Sequence, residues 1–488
     1  MSKRFGDVRG GNPSGKPMGA RLPSANNRGA DMQGDLSYSQ KLAQYYVNSD
    51  AHAIPESAIA HAKNVIVDWA GCGIGGANVD STKMVKSVFL SNPGQCTVFC
   101  GYKASVENAA FINGAASHAL EMDDASYDAG GHPAVVILPA AMAVAEMLNA
   151  SGKDFLLSVI WGYDMMTRVG RGLVPNNSFE QGWHPTAING IFGATVAVAY
   201  LMGLDAGQMA NAMGIAGGFA SGNLECYADG SLTKRLNPAN AAMGAVNAAR
   251  LAKAGYTGPK WVFEGKHGFF RSYTDDPTPE RMLENLDYSE YPVELAAFKP
   301  YACCRYNHAP IDSILGLMSD NGLKANDIEK IVVDTCHMAI RAVVEPREIK
   351  YNPPNEVGAQ FSLPYTAACA ALFADVSVVQ FSDEKLADSQ IREFSKKIDM
   401  IHTGEMDKYL PDIFAADVKI FANDGRTFSR MTKFSKGDPE NPMSAVEIKE
   451  KFMSLCQMTI AADTASKVYD AIMQMDKLDS IRDLTKWF

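Results

Sequence analysis

The chain has 488 residues, 47% of them hydrophobic and 20% charged, with a formal net charge of −10. That length exceeds what one core usually supports and predicts two domains, while the composition is that of an ordinary soluble globular protein. The acidic balance leaves no basic face to neutralise phosphates, which excludes nucleic acid and anionic membranes as partners. No apolar run reaches the roughly 18 to 20 residues that span a bilayer.

Residues 1–34 are rich in Gly, Ser, Asn, Pro and Arg and have no apolar segment, so a disordered tail is expected. Arg4, Arg9, Arg21 and Arg28 hint at an organellar presequence, against which Asp7, Asp31, Asp35 and the glycines count. A cytoplasmic protein is the expectation, with an organellar matrix as the alternative. From Leu36 to Asp287 nearly every segment has helical periodicity. Pro55-Glu56 opens a helix through Ile59, Ala62, Ile66 and Trp69 to the glycines at 71–76, and Asn108 to Met122 reads as a small-residue helix holding His118. His132-Pro133 leads into apolar Ala134 to Leu148, which Pro139 should bend or restart. Phe155 to Val169, Ala187 to Leu201, Ala206 to Ala220 and Asn240 to Ala254 read as further buried helices.

Strand signals begin after Leu286. Glu329 to Thr335 is a β-branched strand, and Asp417 to Phe421 with Arg426 to Met431 flank the hairpin turn Asn423-Asp424-Gly425. Helical patterns at Ala309 to Asn321 and Pro364 to Phe373 lie between them. Ser444-Ala445-Val446-Glu447 is a capping box that opens a helical tail. The predicted fold class is mainly α with a smaller α+β domain. A discontinuous helical domain, 35–288 and 441–488, carries an α+β lid over 289–440, and the tail is expected to pack back onto the first helices. The nine cysteines are scattered without C-x-x-C spacing, which fits a reducing compartment and predicts neither zinc nor an iron–sulfur cluster.

Four stretches carry chemistry. In Gly182-Trp183-His184-Pro185-Thr186 the proline suits a first helical position, which makes His184 an N-cap, and His132-Pro133 repeats the device. A cap explains either histidine alone. Two imidazoles at two helix N-termini, where free N–H groups and the dipole favour anions, point to an anionic substrate. Glu121-Met122-Asp123-Asp124 follows a predicted helix, where acids oppose the dipole and call for another purpose. The loop Asp229 to Pro238 places Lys234 and Arg235 in a turn before an alanine-rich helix, and Lys299 to Pro310 brings Arg305 and His308 to another helix start. Histidines for proton transfer, cations for carboxylates and an acid cluster suit chemistry on a di- or tricarboxylate. No G-x-S-x-G, Walker loop or post-strand G-x-G-x-x-G accompanies them.

In this order the motifs His118-Ala119-Leu120-Glu121-Met122-Asp123-Asp124, His132-Pro133 with Leu138-Pro139-Ala140, Gly182 to Thr186, and Thr233-Lys234-Arg235-Leu236 resemble the MmgE/PrpD family of lyases over roughly residues 38–488. The resemblance implies a helical domain with an α+β lid, usually a homodimer, an active site in the cleft between them, and no metal or organic cofactor. It implies catalytic roles for Asp123, Asp124, His132, His184 and Lys234, with His308 from the lid. Arg235, Arg305 and Glu121 are expected to help bind the substrate. Glu121 departs from a frequent aspartate, Ala125 from threonine and Asn237 from histidine, which bears on how a carboxylate or hydroxyl is held. The first expectation is dehydration of a citrate-like acid such as 2-methylcitrate, with His132 as base, kept neutral by its helix N-terminus, and His184 assisting the departing hydroxide. Decarboxylation of cis-aconitate, epimerisation of iminodisuccinate and a non-catalytic carboxylate-binding role are the alternatives. Arg305 is expected to serve the ligand rather than the core, so that its loss would raise KM at little cost in stability.

Overall fold

The computed structural model describes residues 35–49, 54–90, 93–173 and 177–488, and the expected tail at 1–34 lies outside them. The fold is mainly α with a smaller α+β part. Long helices Glu56–Gly76, Val106–Ser117, Ala134–Leu148, Gly152–Gly172, Pro185–Leu201, Ala206–Phe219 and Thr233–Lys253 pack around one apolar core. Their density of small residues allows close approach. A Cβ on Gly162 would stand 3.2 Å from the Gly193 carbonyl, and one on Gly193 only 2.6 Å from the Gly162 carbonyl, so these two helices touch backbone to backbone. Pro139 sits inside one continuous helix rather than restarting it. The capping box at Ser444 opens the helix Ala445–Cys456, whose Ile448, Phe452 and Cys456 join this same core.

A second core gathers residues from Ala302 to Ile420 with Cys72, Leu120, Met122 and Leu455. Its four-stranded sheet has the order β4-β3-β5-β6, from β3 Ile328–Thr335, β4 Ile398–Ile401, β5 Ala416–Ala422 and β6 Thr427–Thr432. β3 and β5 are antiparallel, as are β5 and β6 across the predicted Asn423-Asp424-Gly425 turn, while β3 and β4 run parallel. Three points depart from the sequence reading. β4 gave no sequence signal, being four residues long, and the helical part contains a short hairpin, β1 Cys96–Val98 with β2 Tyr102–Ala104. The helix around His118 ends at Ser117 instead of Met122, so the acid run lies in a loop.

That loop is tied twice. Ala125 and Ala297 exchange backbone hydrogen bonds of 2.8 and 2.7 Å, which brings Lys299 alongside the acids. Ser126 and Gly131 exchange a second pair, folding His132 back beneath Asp124. A Cβ at Gly131 would meet Thr186 Oγ1 at 2.6 Å, so only glycine lets the loop close on the Pro185 helix.

Candidate active site

Five charged or basic side chains share one buried network. Glu121 Oε1 pairs with the Lys234 ammonium, and Glu121 Oε2 lies 3.4 Å from Lys299 Nζ. Lys234 Nζ also donates to His118 Nε2 at 3.0 Å, and His118 Nδ1 meets Asp123 Oδ2 at 2.9 Å. Lys299 stands 3.8 Å from Asp123 Oδ1. All five are essentially buried. Glu121 holds a left-handed backbone, φ 54°, at a cost of about 1–3 kcal/mol for a residue other than glycine. Both buried lysines and Lys451, which donates to the Met122 carbonyl at 2.5 Å, fasten that turn. Burial alone would raise the Glu121 and Asp123 carboxyls. Lys234 and then Lys299 outweigh it at Glu121, and the His118 N–H with Lys299 outweighs it at Asp123, so both stay ionised. Burial would likewise depress Lys299, but Asp123 and Glu121 hold it above the ordinary lysine range.

Hydrogen-bond partners assign the tautomers. An ammonium only donates, so His118 Nε2 accepts and its Nδ1–H points to Asp123. His132 Nδ1 faces two acceptors, the Asp124 carbonyl at 2.5 Å and Asp123 Oδ2 at 3.4 Å, so it carries the hydrogen and leaves Nε2 as a lone-pair acceptor. His184 Nδ1 faces the Asn237 amide nitrogen at 3.2 Å, and that same nitrogen donates to the Asn223 carbonyl at 3.0 Å. His184 therefore holds its hydrogen on Nε2. Burial, then Lys299, pushes the His132 imidazole down to about 3, and burial with Lys234 puts His184 well below its usual value. Asp124 behaves oppositely. Burial pushes its carboxyl up to about 8, although Tyr163 donates to Oδ2 at 2.7 Å and the Ala134 N–H to Oδ1 at 3.1 Å.

His132, His184, Lys234, Glu121 and Arg305 border one cavity, with about 770 Å³ of atom-free space including its open mouth. Its walls come from both parts of the chain, residues 121–234 and 304–414. Residues 40–282 match the MmgE/PrpD N-terminal domain and residues 301–476 the MmgE/PrpD C-terminal domain. The chain belongs to the MmgE/PrpD family. The cis-aconitate decarboxylase-like protein oryM of Aspergillus oryzae is 27% identical over 458 residues, covering 88% of this chain and 93% of that protein. The cis-aconitate decarboxylase of Aspergillus terreus is 26% identical, covering 93% and 96% of the two chains, and that of Mus musculus 24%, covering 89% of each.

In this MmgE/PrpD member the predicted site residues separate into two groups. Those bordering the cavity are named above. Asp123 and Asp124 stand behind His132, one through its carboxylate and one through its backbone carbonyl. Asp124 also caps the first turn of the Ala134 helix, which answers why acids follow the His118 helix. Arg235 points away from the cavity despite its neighbour: it donates to Ser81 Oγ at 2.8 Å and pairs with Glu356 at 3.3 Å. The Lys-Arg pair lies in the first turn of the Thr233–Lys253 helix and not in a preceding loop, so successive residues project about 100° apart. His308 is fully buried behind Arg305, whose Nη1 meets its Nδ1 at 2.8 Å. Arg305 is spoken for: Nη2 pairs with Asp438 and Nε donates to Tyr127 at 3.3 Å. Its removal would strand a buried carboxylate, so the expectation of little lost stability is corrected.

Two further readings change. His132 precedes the cap, which is Pro133, and burial followed by Lys299 lowers its proton affinity. His184 is the N-cap residue, as expected, but its side chain binds Asn237 instead of the helix N–H groups. Sequence reasoning did not assign roles to His118 and Lys299. His118 opens the motif that carries the acid run and Lys299 opens the stretch ending at Pro310, but each acquires a role only through partners brought by the fold.

Proposed function

We propose that this MmgE/PrpD-family lyase releases carbon dioxide from cis-aconitate or a close relative. One observation carries the reading: a cavity where His132 offers an acceptor Nε2 and His184 an Nε2–H, beside the buried Lys234. The decarboxylases named above are similar over most of the chain and support the choice of reaction. In the proposed step the bond to one carboxyl carbon breaks and carbon dioxide leaves. Its electron pair moves through the double bond to the carbon beside another carboxylate, and one proton quenches it there. A bound polyanion raises the proton affinity of imidazole, so His132 takes the proton at Nε2 and delivers it to carbon. His184 and Lys234 hold the retained carboxylates. The expected product is a five-carbon unsaturated dicarboxylate.

Dehydration of a citrate-like acid is the second reading, favoured by the same pairing of an acceptor imidazole with a donor one. His132 would remove a proton from carbon while His184 assists the leaving hydroxide. Incubation with cis-aconitate, 2-methylcitrate, citrate and iminodisuccinate separates these reactions. Carbon dioxide from cis-aconitate is the expected outcome. Water loss from 2-methylcitrate without carbon dioxide would transfer the assignment to dehydration, and tight binding without turnover would leave a carboxylate-binding protein.

A further inference from the structure

The buried cations described so far each face a carboxylate. Lys234 pairs with Glu121, Lys299 faces Glu121 and Asp123, Arg305 pairs with Asp438, Arg235 with Glu356 and Lys451 with Asp68. Lys350 differs. It ends the short helix Arg347–Lys350, is 1% exposed, and its Nζ donates to the Tyr227 carbonyl at 3.2 Å. The titratable groups that face it are the thiols of Cys304 and Cys226, with no carboxylate among the described residues. Burial holds both thiols in the protonated form, so neither is a counter-charge.

The Lys350 amine stands behind a wall of the cavity. Tyr227 and Cys304 both border that cavity, one from the helical part and one from the part that carries the sheet. The two parts meet closely here: a Cβ on Gly230 would stand 2.7 Å from Asn355 Oδ1 and 3.0 Å from the Gly358 nitrogen. Ser362 Oγ donates to the Lys350 carbonyl and fixes where the side chain starts. A buried ammonium without a counter-charge is costly, and it relieves that cost by losing its proton. Burial accordingly brings Lys350 down to about 8. A polycarboxylate in the cavity would supply the missing opposite charge, and across a protein wall that attraction is stronger than across the same distance of water.

Resting on the reading of this cavity as a polycarboxylate site, we infer that Lys350 is a positioning charge for the anion, taking a proton from solvent as the anion enters and so tying binding to pH. The neutral amine gains one proton from buffer and no covalent bond changes. Because the bound anion favours the charged amine, affinity falls as pH rises through about 8. The test uses tricarballylate, which is fully ionised at pH 8 and has neither the double bond nor the hydroxyl that the proposed reactions need. Calorimetry in buffers of different ionisation enthalpy gives the protons taken up per ligand bound. At pH 8 the parent should take up about half a proton more than Lys350→Met or Lys350→Arg, and at pH 6 the three should agree. Asp124 titrates in the same range, so the difference between parent and variant carries the assignment. Lys350→Met should also raise Kd about tenfold at pH 7, the scale of one charge acting across a protein wall, whereas Lys350→Arg keeps the charge and should keep the affinity. Equal uptake at pH 8 in parent and variants overturns the inference, as does parental affinity in Lys350→Met. Should the methionine variant not fold, lost uptake with retained binding in Lys350→Arg supports the inference and retained uptake overturns it. A parent that does not bind tricarballylate rejects the polycarboxylate reading itself, whereas binding with unchanged uptake rejects the role of Lys350 alone.

Discussion

Glu121 to Asp124 is an acid loop and Lys299 to His308 a basic one that ends in a turn of helix; both lie beside one cavity, and the fold uses them in different ways. The acid loop faces inward: Glu121 and Asp123 hold Lys234, Lys299 and His118 in buried contacts. The basic loop is divided. Lys299 enters that network, while Arg305 and His308 form a separate clamp with Asp438 and Tyr127. A buried charge acts through whichever counter-charge desolvates with it, so a cation beside a cavity is not thereby a free anion site. Substitutions in the two loops should fail in different ways.

The sharpest break is at the imidazole the acid loop supports. His132→Ala should lower kcat by about 10²- to 10⁴-fold while leaving the melting temperature close to the parent's, because the ring borders a cavity and its loop is tied by backbone bonds. Near-parental turnover would remove His132 from the proton-transfer role.

Lys299→Met tests the inward use of charge. Removing one partner of a buried ionic network typically costs about 3–5 kcal/mol, and the value here should fall at the lower end because Glu121 keeps Lys234. The variant also has a signature that a merely structural lysine would lack. Lys299 is the largest charge depressing His132, so its loss should raise that pKa from about 3. That carries upward in pH the limb of kcat/KM that His132 sets, which for a proton-delivering imidazole is the limb where activity falls as pH rises. An unmoved limb would detach Lys299 from His132. Arg305→Ala should destabilise by a similar few kcal/mol without moving the limb, which separates the clamp from the network.

These contrasts mark how much could be read in advance. Long apolar periods gave the helices, and the β-branched run and Asn-Asp-Gly gave β3, β5 and β6, since each signal is local. His184 and Lys234 were legible for the same reason, one placed by Pro185 and one by the start of an alanine-rich helix. The Lys299–Glu121 contact spans 178 positions and rests on the Ala125–Ala297 bridge, which no short-range pattern announces. Arg235 was misplaced by adjacency to Lys234, a kinship that a helical turn breaks.

Asp124 gives a stability test of smaller size. It keeps its proton to about pH 8 in the fold, whereas an unfolded chain releases it near 3.9. Between those values the unfolded state binds fewer protons, so this group's contribution to stability falls as pH rises from about 4 to 8. Asp124→Asn still accepts from Ala134, reverses the bond to Tyr163 so that its amide donates to the hydroxyl, and cannot ionise. Chemical denaturation at pH 5 and pH 8 should show the parent losing on the order of 3 kcal/mol more than the variant over that interval. Parallel losses would mean that Asp124 is already ionised in the fold.

The smallest effect belongs to the amide that fixes the second imidazole. Asn237 touches His184 Nδ1 and the Asn223 carbonyl, and it does not border the cavity, so it acts through the ring it orients. Without it, Nδ1 loses its donor and the Nε2–H tautomer loses its preference. One hydrogen bond of about 1 kcal/mol corresponds to roughly a fivefold fall in kcat/KM for Asn237→Ala. A side chain that only fills space would be replaced without loss by Asn237→Leu, whereas an orienting donor should be restored in part by Asn237→Gln. The decisive reading is therefore the order of the three variants: Gln above Ala and Leu supports a tautomer lock, and Leu at the parental rate reduces Asn237 to packing.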